Sequence, residues 1–170
     1  MVCNNANRRV SALMRLRNTL SVEQKLVLLN SYVMSQFNYC SSVWMFHGKV
    51  ANERIKRVHE RALRVVYNDF SSNYQLLLSK GNHVTIHQKN LKTLSVKVFK
   101  STHGYSPNFI NAMFHVKHVN YSQRIQNLLT LPKTSTITYG LHSFTYRACS
   151  TWNTIQDVIK NSSSVSFFKR

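Results

Sequence analysis

A mainly α-helical fold, a multi-helix domain with one small β-hairpin in its C-terminal third, is predicted by three features of the sequence. Four Gly and two Pro in 170 residues leave few obligate chain breakers, which favours long helices over a many-stranded sandwich. Apolar residues recur at helical spacing from the N-terminus to about position 118, and two capping-box signatures punctuate that stretch. Beyond His118 the texture changes, as Thr and Ser accumulate and short runs alternate with period two.

Helical periodicity begins near Ala6, where Val10, Leu13, Met14 and Arg17 share a face and Arg8 and Arg15 lie roughly opposite. Thr19-Leu20-Ser21 interrupts it. Ser21-Val22-Glu23-Gln24 then supplies a capping box for a helix running to about Gln36. Phe37, Tyr39, Val43, Trp44 and Phe46 follow as an apolar cluster that calls for burial. Gly48 precedes a strongly charged helix over about Val50–Tyr67. Positions 68–73 read as a loop, Tyr74–Ser79 as a short helix ended by Gly81, and Thr85-Ile86-His87-Gln88 as a second capping box opening a helix to Thr102. Ser106-Pro107 suits the start of a short helix through Met113, with Pro at its first position.

In the last third, Leu129-Thr130-Leu131 and Thr136-Ile137-Thr138-Tyr139 alternate as the two strands of a hairpin around Pro132-Lys133. Phe144–Trp152 and 158–161 are helical in pattern, and the serine triplet 162–164 caps a final apolar turn, Val165-Ser166-Phe167-Phe168. The changes of texture divide the chain at 1–48, 49–118 and 119–170, the last continuous with the second.

Twenty-three Lys and Arg against five Asp and Glu give a formal charge of +18. A body with so much uncompensated charge repels itself, and a polyanionic partner relieves the repulsion. At 43% hydrophobic residues the chain still has the material for a core, so disorder is not expected. Cys3, Cys40 and Cys149 are odd in number and widely spaced, and no signal-like apolar stretch follows Met1. Both point to reduced thiols in an intracellular, non-secreted protein. Leu26–Gly48 lacks Asp, Glu, Lys and Arg, but Asn30, Ser31, Ser35, Gln36, Asn38, Ser41 and Ser42 make it too polar for a lipid-facing span. No membrane partner is expected.

The charged helix is the most informative local feature. At 100° per residue Ile55, Val58, Ala62 and Val66 form one stripe, and Arg54, Arg57, Arg61 and Arg64 a second about a third of a turn away. An arginine ladder beside a packed face suits a phosphate backbone, because guanidinium forks make paired hydrogen bonds to phosphate oxygens. The competing reading is a solvated face held by Glu53–Arg57 and Glu60–Arg64 pairs at i,i+4, which leaves Arg54, Lys56 and Arg61 without acid partners. Arg54, Lys56, Arg57, Arg61 and Arg64, with Arg8 and Arg15 of the first helix, are the candidate nucleic-acid contacts. The Thr85–Thr102 helix carries Lys89, Lys92 and Lys100 opposite Leu91, Leu94 and Val98, as an ordinary surface helix does.

Catalytic and metal chemistry find little support. Asp69 and Asp157 are the only aspartates and stand far apart, whereas two-metal phosphoryl transfer needs carboxylates clustered around ions about 4 Å apart. There is no Gly-rich phosphate loop and no nucleophile elbow. His83-x3-His87 straddles the expected helix start, His115-x2-His118 is short, and the cysteines never approach a C-x2-C pair. No catalytic residue, metal or cofactor is implied, and the chain alone reads as a non-enzyme.

Three stretches together resemble one known family. The first is Arg9-Val10-Ser11-Ala12-Leu13-Met14-Arg15-Leu16 followed by Ser31-Tyr32-Val33-Met34-Ser35-Gln36-Phe37-Asn38-Tyr39-Cys40-Ser41-Ser42-Val43-Trp44-Met45-Phe46. The second is Ile55-Lys56-Arg57-Val58-His59-Glu60-Arg61-Ala62-Leu63-Arg64-Val65-Val66-Tyr67-Asn68-Asp69, leading to Val84-Thr85-Ile86-His87-Gln88-Lys89-Asn90-Leu91. The third is Thr138-Tyr139-Gly140-Leu141-His142-Ser143-Phe144-Thr145-Tyr146-Arg147-Ala148 with Trp152-Asn153 and the terminal Ser166-Phe167-Phe168-Lys169-Arg170. Their order and spacing resemble the C-terminal portion of the reverse transcriptase of non-LTR, LINE-type and jockey-like retrotransposons. The resemblance covers nearly the whole chain, and the His-Glu-Arg-Ala-Leu-Arg run is its most specific part.

The resemblance implies that 1–48 corresponds to the polymerase thumb and the remainder to a helical extension. It implies a chain that grips an RNA or RNA–DNA hybrid template-primer and associates with the polymerase palm of the same element. Nuclear or ribonucleoprotein-particle residence is implied too. The family's catalytic aspartates lie in palm strands upstream, which this chain does not contain. Met1 falls where the family has continuous polymerase sequence and Arg170 where a basic helix continues, so a fragment of an element copy is expected. Ser41 stands where proline is frequent, and the terminal Cys/His knuckle of some relatives is missing. A transposon-derived protein with no retained binding, or a structural module, is the alternative.

The absence of clustered aspartates predicts no polymerase activity for the isolated chain. Purified protein given a primed RNA template, dNTPs and Mg²⁺ or Mn²⁺ should yield no extension above buffer. Extension that survives repurification would overturn this reading.

Overall fold

The computed structural model describes residues 2–46, 48–117 and 127–169, and among these described residues helices are the only regular elements. The chain forms two compact units, Met1–Asn90 and Leu91–Arg170. In the first unit α1 (Val2–Arg15), α2 (Val22–Leu28), α3 (Ser35–Asn38), α4 (Ser41–Trp44), α5 (Lys49–Tyr67) and α6 (Tyr74–Ser79) precede the start of α7 (Ile86–Thr102).

The first core is built from α1, α5 and the segment between them. α1 buries Ala6, Val10 and Leu13, the face read from the sequence, although the helix begins at Val2 rather than Ala6. Facing them, α5 buries Val58, Ala62, Leu63, Val65 and Val66, with Ile55 partly covered. Arg61 reaches Asn7 and Ser11, and Met14 borders the same groove as Val65. The sequence offset between partners stays near fifty, so the two helices run in the same direction side by side.

Local capping fixes the helix starts. Ser21 accepts from the Gln24 backbone N–H while the Gln24 side chain accepts from Ser21 N–H, a complete capping box. Thr85 and Gln88 do the same for α7. Asn73 caps α6 by accepting from Leu76 N–H. α5 stops at Asn68, whose φ of 51° is left-handed, with the Asp69 N–H returning to the Arg64 carbonyl at 3.1 Å.

The helix expected to run unbroken to Gln36 is interrupted by a π turn, Leu29–Val33. The segment keeps Leu29, Val33 and Phe37 in the core, and Arg9 crosses to it, donating to the Tyr32 carbonyl at 2.6 Å with its guanidinium 4.6 Å from the Tyr32 ring centroid. Burial of the following cluster is only partial. Phe37 is sealed and Trp44 packs edge-on to it at 6.2 Å, but Tyr39 is 77% and Val43 78% exposed. Cys40 takes a left-handed φ of 47° between the short helices α3 and α4, and this bend turns the two side chains outward.

The second unit holds most of α7, then α8 (Asn108–Asn111), α9 (Phe144–Asn153), α10 (Asp157–Lys160) and α11 (Val165–Phe168). Its centre is aromatic, with Phe99 stacked on Phe168 at 4.5 Å and on His103 at 4.0 Å, and Trp152 6.1 Å from Phe168. α8 is shorter than expected, with Pro107 just before its first residue rather than in it. Ser164 caps α11 by accepting from Phe167 N–H.

The expected β-hairpin does not form. Among the described residues there is no strand, only an isolated antiparallel bridge between Val116 and Leu129. Leu129 is claimed instead by Asn153, whose carboxamide accepts from its N–H at 2.8 Å and donates to its carbonyl at 2.9 Å. Its neighbours turn the other way, with Lys117 N–H donating to Leu128 O and Thr130 N–H to His115 O. The intended second strand winds into a π turn, Ile137–Leu141, closed by bonds from Leu141 to Thr136 and His142 to Ile137. Ile137 and Tyr139 are exposed, so alternation there has no apolar face to bury. A Cβ on Gly140 would stand 2.7 Å from that of Thr134, so the turn requires glycine.

Because the Ser21 box satisfies two otherwise unpaired donors, Ser21→Ala should destabilise the chain by about 1 kcal/mol. The denaturation midpoint measures it, and an unchanged midpoint would show that the cap contributes nothing.

Candidate nucleic-acid interface

Of the seven candidate residues, three line one groove. Arg57, Arg61 and Arg64 project from α5 into a cleft of about 320 Å³ closed by Met14, Val65 and Phe70, with Glu60 at its edge. Arg54 lies one turn earlier on the same stripe and is exposed. Arg8 and Arg15 are exposed on α1. At 100° per residue they lie beyond Ser11, opposite the buried Ala6, Val10 and Leu13 face, as the periodicity predicts. Lys56 lies elsewhere, around α5 with Glu53, where both line a separate cavity. Four of the seven thus lie along the groove side of α5, while Arg8, Arg15 and Lys56 do not.

The arginines differ in what already holds them. Arg61 ties α5 to α1 through Asn7 at 3.3 Å and Ser11 at 3.1 Å. Arg64 pairs with Glu60 at 2.8 Å and reaches the Ser72 carbonyl, while its Nε is buried with no hydrogen-bond partner. The expected Glu53–Arg57 pair is replaced by Glu53–Lys56 at 3.9 Å, with both side chains about half exposed. Such a pair contributes little. Arg57 therefore has no acid partner among the described residues and faces the groove.

Phe70 and Arg17 were not legible as part of this surface. Phe70 is 48% exposed at the groove wall, with the Arg17 guanidinium 5.7 Å from its ring centroid. The loop that presents it is tied down by Asp69, which binds Lys80 and accepts from the Ser71 and Ser72 N–H groups. The Lys80 ammonium first, then those hydrogen bonds, hold the Asp69 carboxyl well below the usual carboxylate range.

Behind the groove, α5 carries a buried polar pair. His59 is 3% exposed and shares a 2.8 Å hydrogen bond with the Tyr74 hydroxyl. Burial, assisted by nearby His83 and Lys89, pushes the imidazole down to about 4. Burial likewise pushes Tyr74 up to about 12, and it lowers His83, which is bonded to Tyr67 at 2.8 Å. His83 precedes α7 rather than joining His87 on it. Among the described residues no three His, Cys, Asp or Glu side chains are grouped to hold one metal ion. Among them, too, no helix is long and apolar enough to cross a membrane.

Compared with models of protein families, with curated proteins and with solved structures, the chain matches none.

His59 sets a pH dependence. With its folded value near 4 and its unfolded value near 6.5, the neutral form is favoured by folding. The stabilisation is complete above pH 6.5 and is lost as pH falls toward 4, by roughly 3 kcal/mol. Denaturant midpoints across this range should drop accordingly, and His59→Gln should flatten the drop, leaving the smaller contribution of His83. A wild-type midpoint independent of pH in this window would refute it.

Proposed function

We propose that the chain is a non-catalytic nucleic-acid-binding module that holds the phosphate backbone of RNA or an RNA–DNA hybrid along the α1–α5 seam. The proposal extends to its origin, as the thumb and extension portion of a non-LTR retrotransposon reverse transcriptase, which rests on the sequence resemblance alone. One observation carries the binding reading. Arg57, Arg61 and Arg64 share a groove walled by Phe70, with Arg54 exposed on the same stripe of α5. Arg54 to Arg64 covers ten residues, about 15 Å of helix, long enough to follow several phosphates of one strand. Phe70 adds a ring on which a base can stack.

A structural role for the ladder has its own support. Arg61 and Arg64 are engaged inside the protein, and an arginine that only braces helices contributes no affinity. The two readings separate on Arg54 and Arg57, which have no hydrogen bond or ion pair among the described residues.

For single strands log K falls with log salt by about 0.7 for each phosphate neutralised. Arg54→Gln with Arg57→Gln should flatten that slope by about 1.4 if each touches one phosphate. Lys89→Gln with Lys100→Gln should cost less. A 20-nucleotide RNA titrated at several salt concentrations makes the comparison. A larger loss from the lysine pair, or an unchanged slope in both, would reduce the ladder to a solvated, bracing face.

A further inference from the structure

The second cavity of the first unit lies on the other side of α5 from the arginine groove. It measures about 230 Å³, below the ~300–1,000 Å³ of pockets for drug-sized ligands, so it suits one flat ring system rather than an extended molecule. Asn90, on α7, lines it and is only 4% exposed. Its carboxamide has no hydrogen-bond partner among the described residues. The amide lines the cavity, where it offers a donor and an acceptor side by side to whatever enters.

The other walls suit the same kind of occupant. Trp44 and Tyr74 line the cavity with Ile55. Both aromatic polar atoms are already engaged, Trp44 Nε1 by the Tyr39 carbonyl at 2.8 Å and the Tyr74 hydroxyl by His59. Those bonds fix the rings and leave their apolar surfaces as what they present. Lys56 and His87 stand at the exposed margin, with the Lys56 ammonium 5.9 Å from the Tyr74 ring centroid.

The geometry points to a pocket for a single unstacked nucleobase, paired edge-on with the Asn90 carboxamide between Trp44 and Tyr74, its phosphate met by Lys56. Every base carries an edge with adjacent donor and acceptor, and unstacked bases of single strands are read in this way, by aromatic contact and edge hydrogen bonds. The carboxamide can pair with such an edge in either orientation, so the pocket demands a base without fixing which one. It rests on the nucleic-acid reading for the source of that base. It would give the chain a preference for single-stranded over fully paired nucleic acid that phosphate contacts alone do not supply.

Isothermal titration calorimetry of the full chain at high salt, with adenosine, adenosine 5′-monophosphate and ribose 5-phosphate as probes, tests it. The monophosphate should bind best, adenosine less tightly and ribose 5-phosphate not at all. Asn90→Leu should weaken adenosine at least about tenfold, and Lys56→Gln should narrow the gap between monophosphate and nucleoside. Should Asn90→Leu unfold, Asn90→Ser, which lacks the paired donor and acceptor, takes its place. Ribose 5-phosphate binding as tightly as the monophosphate, or an Asn90 variant binding adenosine like the parent, overturns the pocket. An RNA titration beside it keeps the two readings apart. RNA binding without any nucleoside or nucleotide binding removes the pocket alone, and nucleotide binding without RNA binding upholds the pocket while removing the groove.

Discussion

The first unit depends on the side-by-side packing of α1 and α5. Ala6 and Ala62 are both completely buried, and two such small side chains let neighbouring helices approach closely while Val10, Leu13, Val58 and Val65 fill the space around them. Parallel helices at this separation bring their flanking stripes into register. The stripe beside the α5 core is arginine, and that beside the α1 core is Asn7 and Ser11. Arg61 closes across the seam because Asn7 and Ser11 offer it oxygens. Apolar burial places the cations, and the placement of the cations gives the surface its chemistry.

That surface belongs to a body with little charge of the opposite sign. Through Asn90 the sequence has thirteen Lys and Arg against four Asp and Glu, and from Leu91 onward ten against one. Several acids are committed locally, with Glu60 on Arg64, Asp69 on Lys80 and Asp157 on Lys160, whose side chain is fully buried. Internal pairing therefore neutralises cations that hold the fold, and the field at the surface comes from those left over. Over a groove with an apolar floor such a field is focused rather than screened.

What the sequence made legible was local. The boxes at Ser21 and Thr85 involve residues three apart, so the chemistry that starts α2 and α7 is written in four consecutive letters. The buried stripes of α1 and α5 follow from helical period alone. The failures concern partners distant in sequence or choices between near-equal neighbours. Nothing around Leu129 announces that Asn153, twenty-four positions on, will take both its backbone groups, and without that knowledge alternating Leu and Thr read as a strand. Glu53 had Lys56 and Arg57 within reach and took the nearer in sequence. Tyr39 and Val43 were expected inside because they are apolar, but the left-handed Cys40 between them sends both outward. At the interface the arginine ladder was readable from spacing, whereas Phe70 and Asn90 join their cavities through loop and helix placement that no periodicity encodes.

The π turn at Leu29–Val33 amounts to one residue of slack in an otherwise α-helical segment. A π turn accommodates an additional residue while the helix on either side keeps its facing, and here Asn30 and Ser31 lie exposed on the loosened turn while Leu29, Val33 and Phe37 stay inward. The same inward faces could be made by a chain one residue shorter. What the shorter chain would lack is the Tyr32 carbonyl turned toward α1, now held by Arg9 and Ser35. The extra residue thus trades regular helix for a latch, fastening the segment to α1 at the surface through an arginine that is thereby withdrawn from the pool available to any anionic partner.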